Sequence, residues 1–367
     1  MMQGEERVAT IYDVAKAAKV SPKTVSRVLN GDAPVGKKTR DAVNAAITAL
    51  GYVPSNAARM MRSNKSGLVG LITGAISDTI EPAQPAGLPE LLLVRGIQQT
   101  IGLTGKTLMI ADSGNRSERV PDLIKTFLEH RVEGLIYVAP YHQNVRLPAV
   151  PDDTPIVLTN CFDEIGTPAV IPDDRRGQHD LVARLIAAGH QRIAYLTLRE
   201  DIVATGLRRN GYREALGEAG IAYDPALVQC GEIGSPETET QVLWTAIDRM
   251  LNLSQPPTVF CCGNDRQALK VYGILRSRGL AVPDDISVAG YDNYRVIAET
   301  LYPPLTTVEL PYTAMGVRAA QRLLELISGE GRNDAGTDVV GGPVYWRQSV
   351  TERRPPNVSQ LKLVRED

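Results

Sequence analysis

The chain has 367 residues, 43% hydrophobic and 22% charged, the proportions of an ordinary globular protein long enough for two or three cores. No apolar run approaches the roughly 20 residues that a membrane-spanning helix needs, and no charged-then-apolar leader opens the chain, so a cytoplasmic protein is expected. The net charge of −2 hides an asymmetry: residues 1–63 carry ten Lys/Arg against five Asp/Glu, and the remainder thirty against thirty-seven, which suits a basic end that meets a polyanion, although a solvated charged face gives the same excess.

Residues 10–50 read as three short helices. Thr10 followed by Asp13 has the form of a capping box, and Val14, Ala15 and Ala18 give an apolar face. Lys19-Val20 is the break. Ser21-Pro22 opens the second helix with an N-cap and a proline at the first helical position, and Asn30-Gly31 closes it. Val20, Val25, Val28 and Leu29 are expected to pack inward, leaving Lys23, Thr24, Ser26 and Arg27 near the outer face. A third helix, about Lys37 to Leu50, carries Ala42, Val43, Ala46, Ile47 and Leu50 at helical spacing and ends at Gly51. Two short helices joined by a tight turn, the second opening on small polar and basic residues, form a helix-turn-helix. Such a helix fits the major groove and presents first-turn donors and acceptors to base edges. A small helical bundle that binds protein has the same outline. The run from Gly31 to Lys37 imitates a phosphate loop, but Lys38 stands where Ser or Thr must bind magnesium, and the run follows a helix instead of a strand.

From Leu68 onward short apolar runs alternate with amphipathic stretches. Strands are predicted at Leu68–Thr73, Thr107–Ala111, Gly134–Val138, Ile156–Thr159, Ile193–Thr197, Thr258–Cys262 and Ser287–Gly290. Helices fall between them, among others at Pro121–His130, Leu181–Ala188, Gly206–Ala219 and Gln267–Arg278. This α/β alternation means parallel sheets covered on both faces, and the number of strands suffices for two. Ligands of open α/β sheets bind beyond the carboxyl ends of the strands. Asn160 follows one strand, Asn264-Asp265 another and Asp292-Asn293 a third, while Arg208 lies near the start of a helix. Each alone reads as readily as a cap or loop residue, Asp265 above all. Together they suit the rim of a cleft for a polyhydroxylated or heterocyclic ligand. The helix Tyr312–Ile327 carries Met315, Ala319, Leu323 and Ile327 in one stripe, which is core packing first and a dimer contact second.

The four cysteines (Cys161, Cys230, Cys261 and Cys262) form no CxxC pair and have no histidine at ligand spacing, so neither a metal nor another cofactor is expected. Four histidines, no nucleophile elbow and no HExxH motif give nothing to support an enzyme.

The segment from Ala9 to Ser63, with IYDVA, VS..TVSRVLN, TR..V..A...LGY.P and N..AR in order, resembles the lactose-repressor/galactose-repressor (LacI/GalR) family of transcriptional regulators. The likeness runs on through GHQRIAYL, CGND..AL.VY, VPDDISV.GYDN and PPLTTV to about Val350. It implies a three-helix DNA-binding head (1–52), a hinge (53–64) and an effector domain similar to periplasmic sugar-binding proteins. The chain of that domain crosses three times between an N-subdomain (65–161 and 304–328) and a C-subdomain (162–303 and 329–358), leaving a tail at 359–367. Pro22, Lys23 and Arg27 then fall where the family reads bases. Thr10, Tyr12, Ser21, Ser26 and Asn30 are placed for phosphates, with Thr24 beside them. In the hinge, Asn56, Ala57 and Arg59 flank Met61, which stands where relatives wedge a leucine into the minor groove. Matched effector contacts are Gly74, Asn160, Arg208, Asn264 and Asp292. No aromatic residue stands around Gly231–Pro236, where relatives stack a ring on the ligand. The expected function is a repressor that binds a pseudo-palindromic operator as a dimer or dimer of dimers, switched by a small molecule. A sugar-like effector is expected, or alternatively a nucleobase-type co-repressor. A secreted sugar-binding protein would share the α/β body but not the helix-turn-helix.

Overall fold

The computed structural model describes residues 9–31, 34–53, 65–74, 88–151, 153–232, 236–329 and 336–353. The expected hinge contacts Asn56, Ala57, Arg59 and Met61 and the tail 359–367 lie outside these residues, as does the side chain of Asn30. The chain divides into two compact units, Met1–Ser66 and Gly67–Asp367.

The first unit has helices α1 (Ile11–Ala17), α2 (Pro22–Asn30) and α3 (Lys37–Leu50). The Thr10 backbone N–H donates to the Asp13 carboxylate at 2.8 Å, which fixes the start of α1. Ser21 caps α2 by accepting from the Thr24 N–H at 3.2 Å. Gly31 and Gly51 end α2 and α3 in the left-handed conformation, with φ of 70° and 57°. The core is small: Val14, Ala15, Val25, Val43 and Ala46 are buried, flanked by Ile11, Val20, Val28, Leu29 and Ile47.

The second unit holds two six-stranded sheets. In chain order it runs β1 (Leu68–Thr73), α4 (Leu88–Gly102), β2 (Thr107–Asp112), α5 (Val120–Glu129), β3 (Leu135–Asn144), β4 (Ile156–Phe162), β5 (Ala169–Pro172), α6 (Asp174–Ala187), β6 (Ile193–Thr197), α7 (Val203–Glu218), β7 (Val228–Cys230), α8 (Pro236–Leu251), β8 (Val259–Cys262), α9 (Asp265–Ser277), β9 (Ser287–Asp292), α10 (Arg295–Ala298), β10 (Thr306–Glu309), α11 (Tyr312–Ser328), β11 (Thr337–Val340) and β12 (Val344–Tyr345). The sheet orders are β11-β5-β4-β3-β1-β2 and β12-β10-β9-β8-β6-β7. Every pairing is parallel except β10 with β12. Each sheet therefore repeats the 2-1-3-4-5 order, whose switch point lies between its first and third strands and favours ligand binding at their carboxyl ends. Both faces of each sheet are covered by apolar clusters, as a parallel sheet requires.

The chain does cross three times between the sheets, but each crossing lies one strand later than the boundaries expected at 161/162, 303/304 and 328/329. β5 still belongs to the first sheet, β10 to the second and β11 to the first. All three are four-residue strands, too short to show a periodicity that separates them from connecting loops.

After β10 the chain returns to the first sheet through α11, which packs Met315, Ala319 and Leu323 into the same core as Leu93 and Ile97 of α4. The two helix backbones touch: a Cβ on Gly96 would overlap the Thr313 carbonyl, and one on Gly316 would overlap the Leu93 carbonyl. Gly316→Val is expected to wedge α4 from α11 and destabilise the second unit by roughly 1–3 kcal/mol, the usual cost of overpacking. A urea melt of the full chain, read through that unit's transition, checks it.

Candidate functional site

The carboxyl ends of the two sheets enclose a cleft of about 770 Å³. Gly74, Asn160, Arg208, Asn264 and Asp292 all line it, so residues far apart in the chain converge as expected from their strand-end positions. Gly74 follows β1, where a Cβ would collide with the Asn115 side-chain oxygen. Asn160 near the end of β4 and Asp292 at the end of β9 have φ of 60° and 113°. Such left-handed backbone at non-glycine residues clusters at sites where side chains must be aimed. Asn160 donates from Nδ2 to the Ala139 carbonyl at 3.2 Å, which leaves its oxygen for the cleft.

Asn264, not Asp265, caps α9, accepting from the Gln267 N–H at 2.7 Å. Asp265 is instead a buried residue that ties the second sheet together. Its carboxylate accepts from the Tyr294 N–H and the Thr307 hydroxyl, each at 2.7 Å. Burial raises the Asp265 pKa, and the nearby Asp292 raises it further. Burial also lifts Asp292, to about 7, against the lowering effect of Arg208 and Arg266. The two carboxyls share one poorly solvated corner, where two full negative charges are disfavoured.

Arg208 is more constrained than a free ligand-binding arginine. Its Nε donates to Asp174 Oδ1 at 2.7 Å and its Nη1 to the Gly263 carbonyl at 2.6 Å, while the guanidinium lies 3.6 Å over the Tyr291 ring. Asp174, the first residue of α6, also contacts His142 Nδ1 at 2.9 Å through Oδ2. Burial works against ionisation of Asp174, but Arg208 and His142 outweigh it and hold its pKa below the ordinary value. His142 and Asp174 both line the cleft and neither was singled out from the sequence. Tyr141, Tyr294 and Tyr312 supply the aromatic surface that the segment around Gly231 lacks.

In the first unit, Lys23 and Arg27 stand exposed at i, i+4 on α2, and neither side chain makes a hydrogen bond or ion pair among the described residues. Pro22 and Thr24 are half-buried beside them, with the Thr24 hydroxyl 2.9 Å from that of Ser21. Tyr12 is 72% exposed. Ser26 departs from the expected outward placement, being only 5% exposed. At 100° per residue it lies nearest Pro22, between Leu29 and Lys23 and turned away from Arg27, and it is the α2 hydroxyl least available to a phosphate. Thr10 spends its hydroxyl on Asp13, at 2.6 Å.

A basic helix-turn-helix unit carried by a body that folds two parallel sheets around a polar cleft defines a ligand-responsive DNA-binding regulator. Comparison with known proteins gives the same answer. Residues 10–55 match the family described as bacterial regulatory proteins, lacI family, and residues 182–350 match a periplasmic binding protein-like domain. The sucrose operon repressor of Escherichia coli is 32% identical over 322 residues, covering 87% of this chain and 94% of that protein. The transcriptional repressor CytR of Escherichia coli K12 is 30% identical over 338 residues, covering 89% and 92%. Among solved structures, the lac repressor dimer bound to operator and the anti-inducer ONPF superposes with a TM-score of 0.74 at 27% identity, covering 94% of this chain and all of that one. The chain belongs to the lacI family of bacterial regulatory proteins and is a transcriptional regulator, not an enzyme. No helix among the described residues is long and apolar enough to cross a membrane.

The raised Asp292 gives the fold a pH signature. A carboxyl whose folded pKa exceeds its unfolded value of about 3.9 contributes stability that is fully present below that value and is lost as pH rises through about 7. Asp292→Asn is therefore expected to melt higher than the wild type at pH 8, with the difference shrinking towards pH 4. Thermal melts at the two pH values check the sign.

Proposed function

We propose that this regulator is a cytoplasmic repressor that binds a pseudo-palindromic operator as a homodimer and is switched by a sugar-like effector held in the cleft. The convergence of Gly74, Asn160, Arg208, Asn264 and Asp292 on one cavity carries the effector reading. Amide, carboxyl and guanidinium groups beside tyrosine faces suit a ligand with many hydroxyls and a partly apolar ring. One head per chain buries too little surface for tight specific binding, so two heads on two half-sites support the dimer.

On this reading Lys23 and Arg27 donate to base edges, most simply to guanine O6 and N7. Tyr12 and Ser21 position the head on phosphates. Arg27→Ala is expected to cost about 1–3 kcal/mol on the operator and to relax preference at one base pair per half-site. Titration of cognate and randomised duplexes at one salt concentration checks this; an equal loss on both makes Arg27 a phosphate contact.

Thermal-shift screening of sugars, sugar phosphates and nucleobases identifies the effector, since a ligand at 100 times its Kd stabilises by roughly 2.7 kcal/mol. A hit confined to nucleobases replaces the sugar reading. With the effector in hand, Asp292→Ala is expected to weaken its binding in calorimetry at least tenfold, because the ligand donors lose their acceptor. Operator affinity without effector stays near the wild-type value, and unchanged effector affinity reduces Asp292 to a turn residue.

A further inference from the structure

The strongest unassigned feature is the buried chain of contacts His142–Asp174–Arg208. His142 lies in β3, on the first sheet, and Asp174 and Arg208 lie on α6 and α7, which pack beside the second sheet's core. The side chains of His142, Asp174 and Arg208 are 3%, 0% and 4% exposed. The contact at 2.9 Å between His142 Nδ1 and Asp174 Oδ2 therefore bridges the two halves of the cleft away from water.

The tautomer follows from the partners. Asp174 is held ionised by the Arg208 guanidinium, so an ionised acceptor faces Nδ1, and Nδ1 must carry the proton. The other ring nitrogen, Nε2, is buried with no hydrogen-bond partner among the described residues. A histidine chosen only for packing would not leave a nitrogen unmatched at the wall of a cavity. Among the described residues the ring's one hydrogen bond is with the carboxylate that holds Arg208.

We propose that Asp174 and His142 are positioning residues for effector recognition. Asp174 fixes the Arg208 guanidinium against Tyr291 and the Gly263 carbonyl, and His142 reaches from the opposite half of the cleft to fix Asp174. Arg208 is thus presented in its binding orientation only while the two halves are together, which makes ligand contact and closure one event. The proposal rests on the cleft being the effector site, the reading tested by ligand screening.

The test needs no effector. In full-length protein labelled with nitrogen-15 arginine, the Arg208 Nε–H signal, assigned by its loss in Arg208→Lys, reports whether the guanidinium stays locked. Its exchange with solvent is expected to be slow in the wild type and at least tenfold faster in His142→Ala. His142→Asn, whose side-chain amide comes near the place of Nδ1, is expected to restore slow exchange, which a merely volume-filling role would not require. Wild-type exchange in His142→Ala, or failure of His142→Asn to restore it in a folded protein, overturns the proposal. A failed ligand screen removes the effector reading without altering these rates, so the two failures are distinguishable.

Discussion

Asp174 gave up all of its water on folding, and a carboxylate in that position stays ionised only if cations and donors replace the solvent. Arg208 and His142 do this from different elements, α7 and β3. The geometry of the cleft depends on the pairing. Without Asp174, Arg208 would be a buried cation hydrogen-bonded only to a carbonyl; without Arg208, Asp174 would have one side-chain donor for two oxygens. Buried ion pairs of this kind rarely add net stability over a well-packed apolar substitute. Their value here is directional, because a bidentate fork held at two of its nitrogens can face the ligand in one way only.

A second constraint acts at the strand ends. Asn160, Asp292 and Asn293 all take positive φ, at 60°, 113° and 50°. Asparagine and aspartate tolerate this region better than other L residues, yet the cost is real. The surrounding sheet absorbs it. Asn293 is held by the Thr307 hydroxyl at 3.3 Å and by Arg347 at 2.8 Å, while Asp265 grips the next backbone N–H at Tyr294. The side chains that line the cleft are thus aimed by strained backbone whose strain is held in place by a buried polar lattice. Asp265 serves that lattice, which explains why it sits so near the cleft and yet faces the sheet.

Much of this was legible in the sequence, and the gaps have physical causes. Caps and breaks are local chemistry, so Thr10-Asp13, Ser21-Pro22, Gly31 and Gly51 located the three head helices. Long apolar runs located the central strands, and strand ends then pointed to Asn160, Asn264 and Asp292. The read strand over Gly134–Val138 stopped short, however, because Pro140, Tyr141 and His142 break the apolar run, whereas β3 continues to Asn144 past an irregularity in its pairing. β5, at Ala169–Pro172, is too short to show a period. His142 thus lies on a strand extension that the apolar pattern does not mark, and Asp174 opens α6 just beyond a strand too short to mark. Ser26 failed for a different reason: a hydroxyl small enough to be buried beside Leu29 gives no hydrophobic signal of its direction.

The three crossings decide which part of the body can report on the cleft. Because α11 returns to the first sheet and packs its glycine face on α4, that half is built from segments on both sides of the second half in sequence. A change in the spacing of the two halves must therefore act on all three connections at once, and cannot be absorbed by one flexible link. β1, the first strand of that half, begins at Leu68, directly after the boundary at Ser66/Gly67. The first half is therefore the one that the chain enters from the DNA-binding unit. His142 belongs to this half and Arg208 to the other. A ligand that alters the contact between them acts at the joint between the half that holds Arg208 and the half that leads to the head.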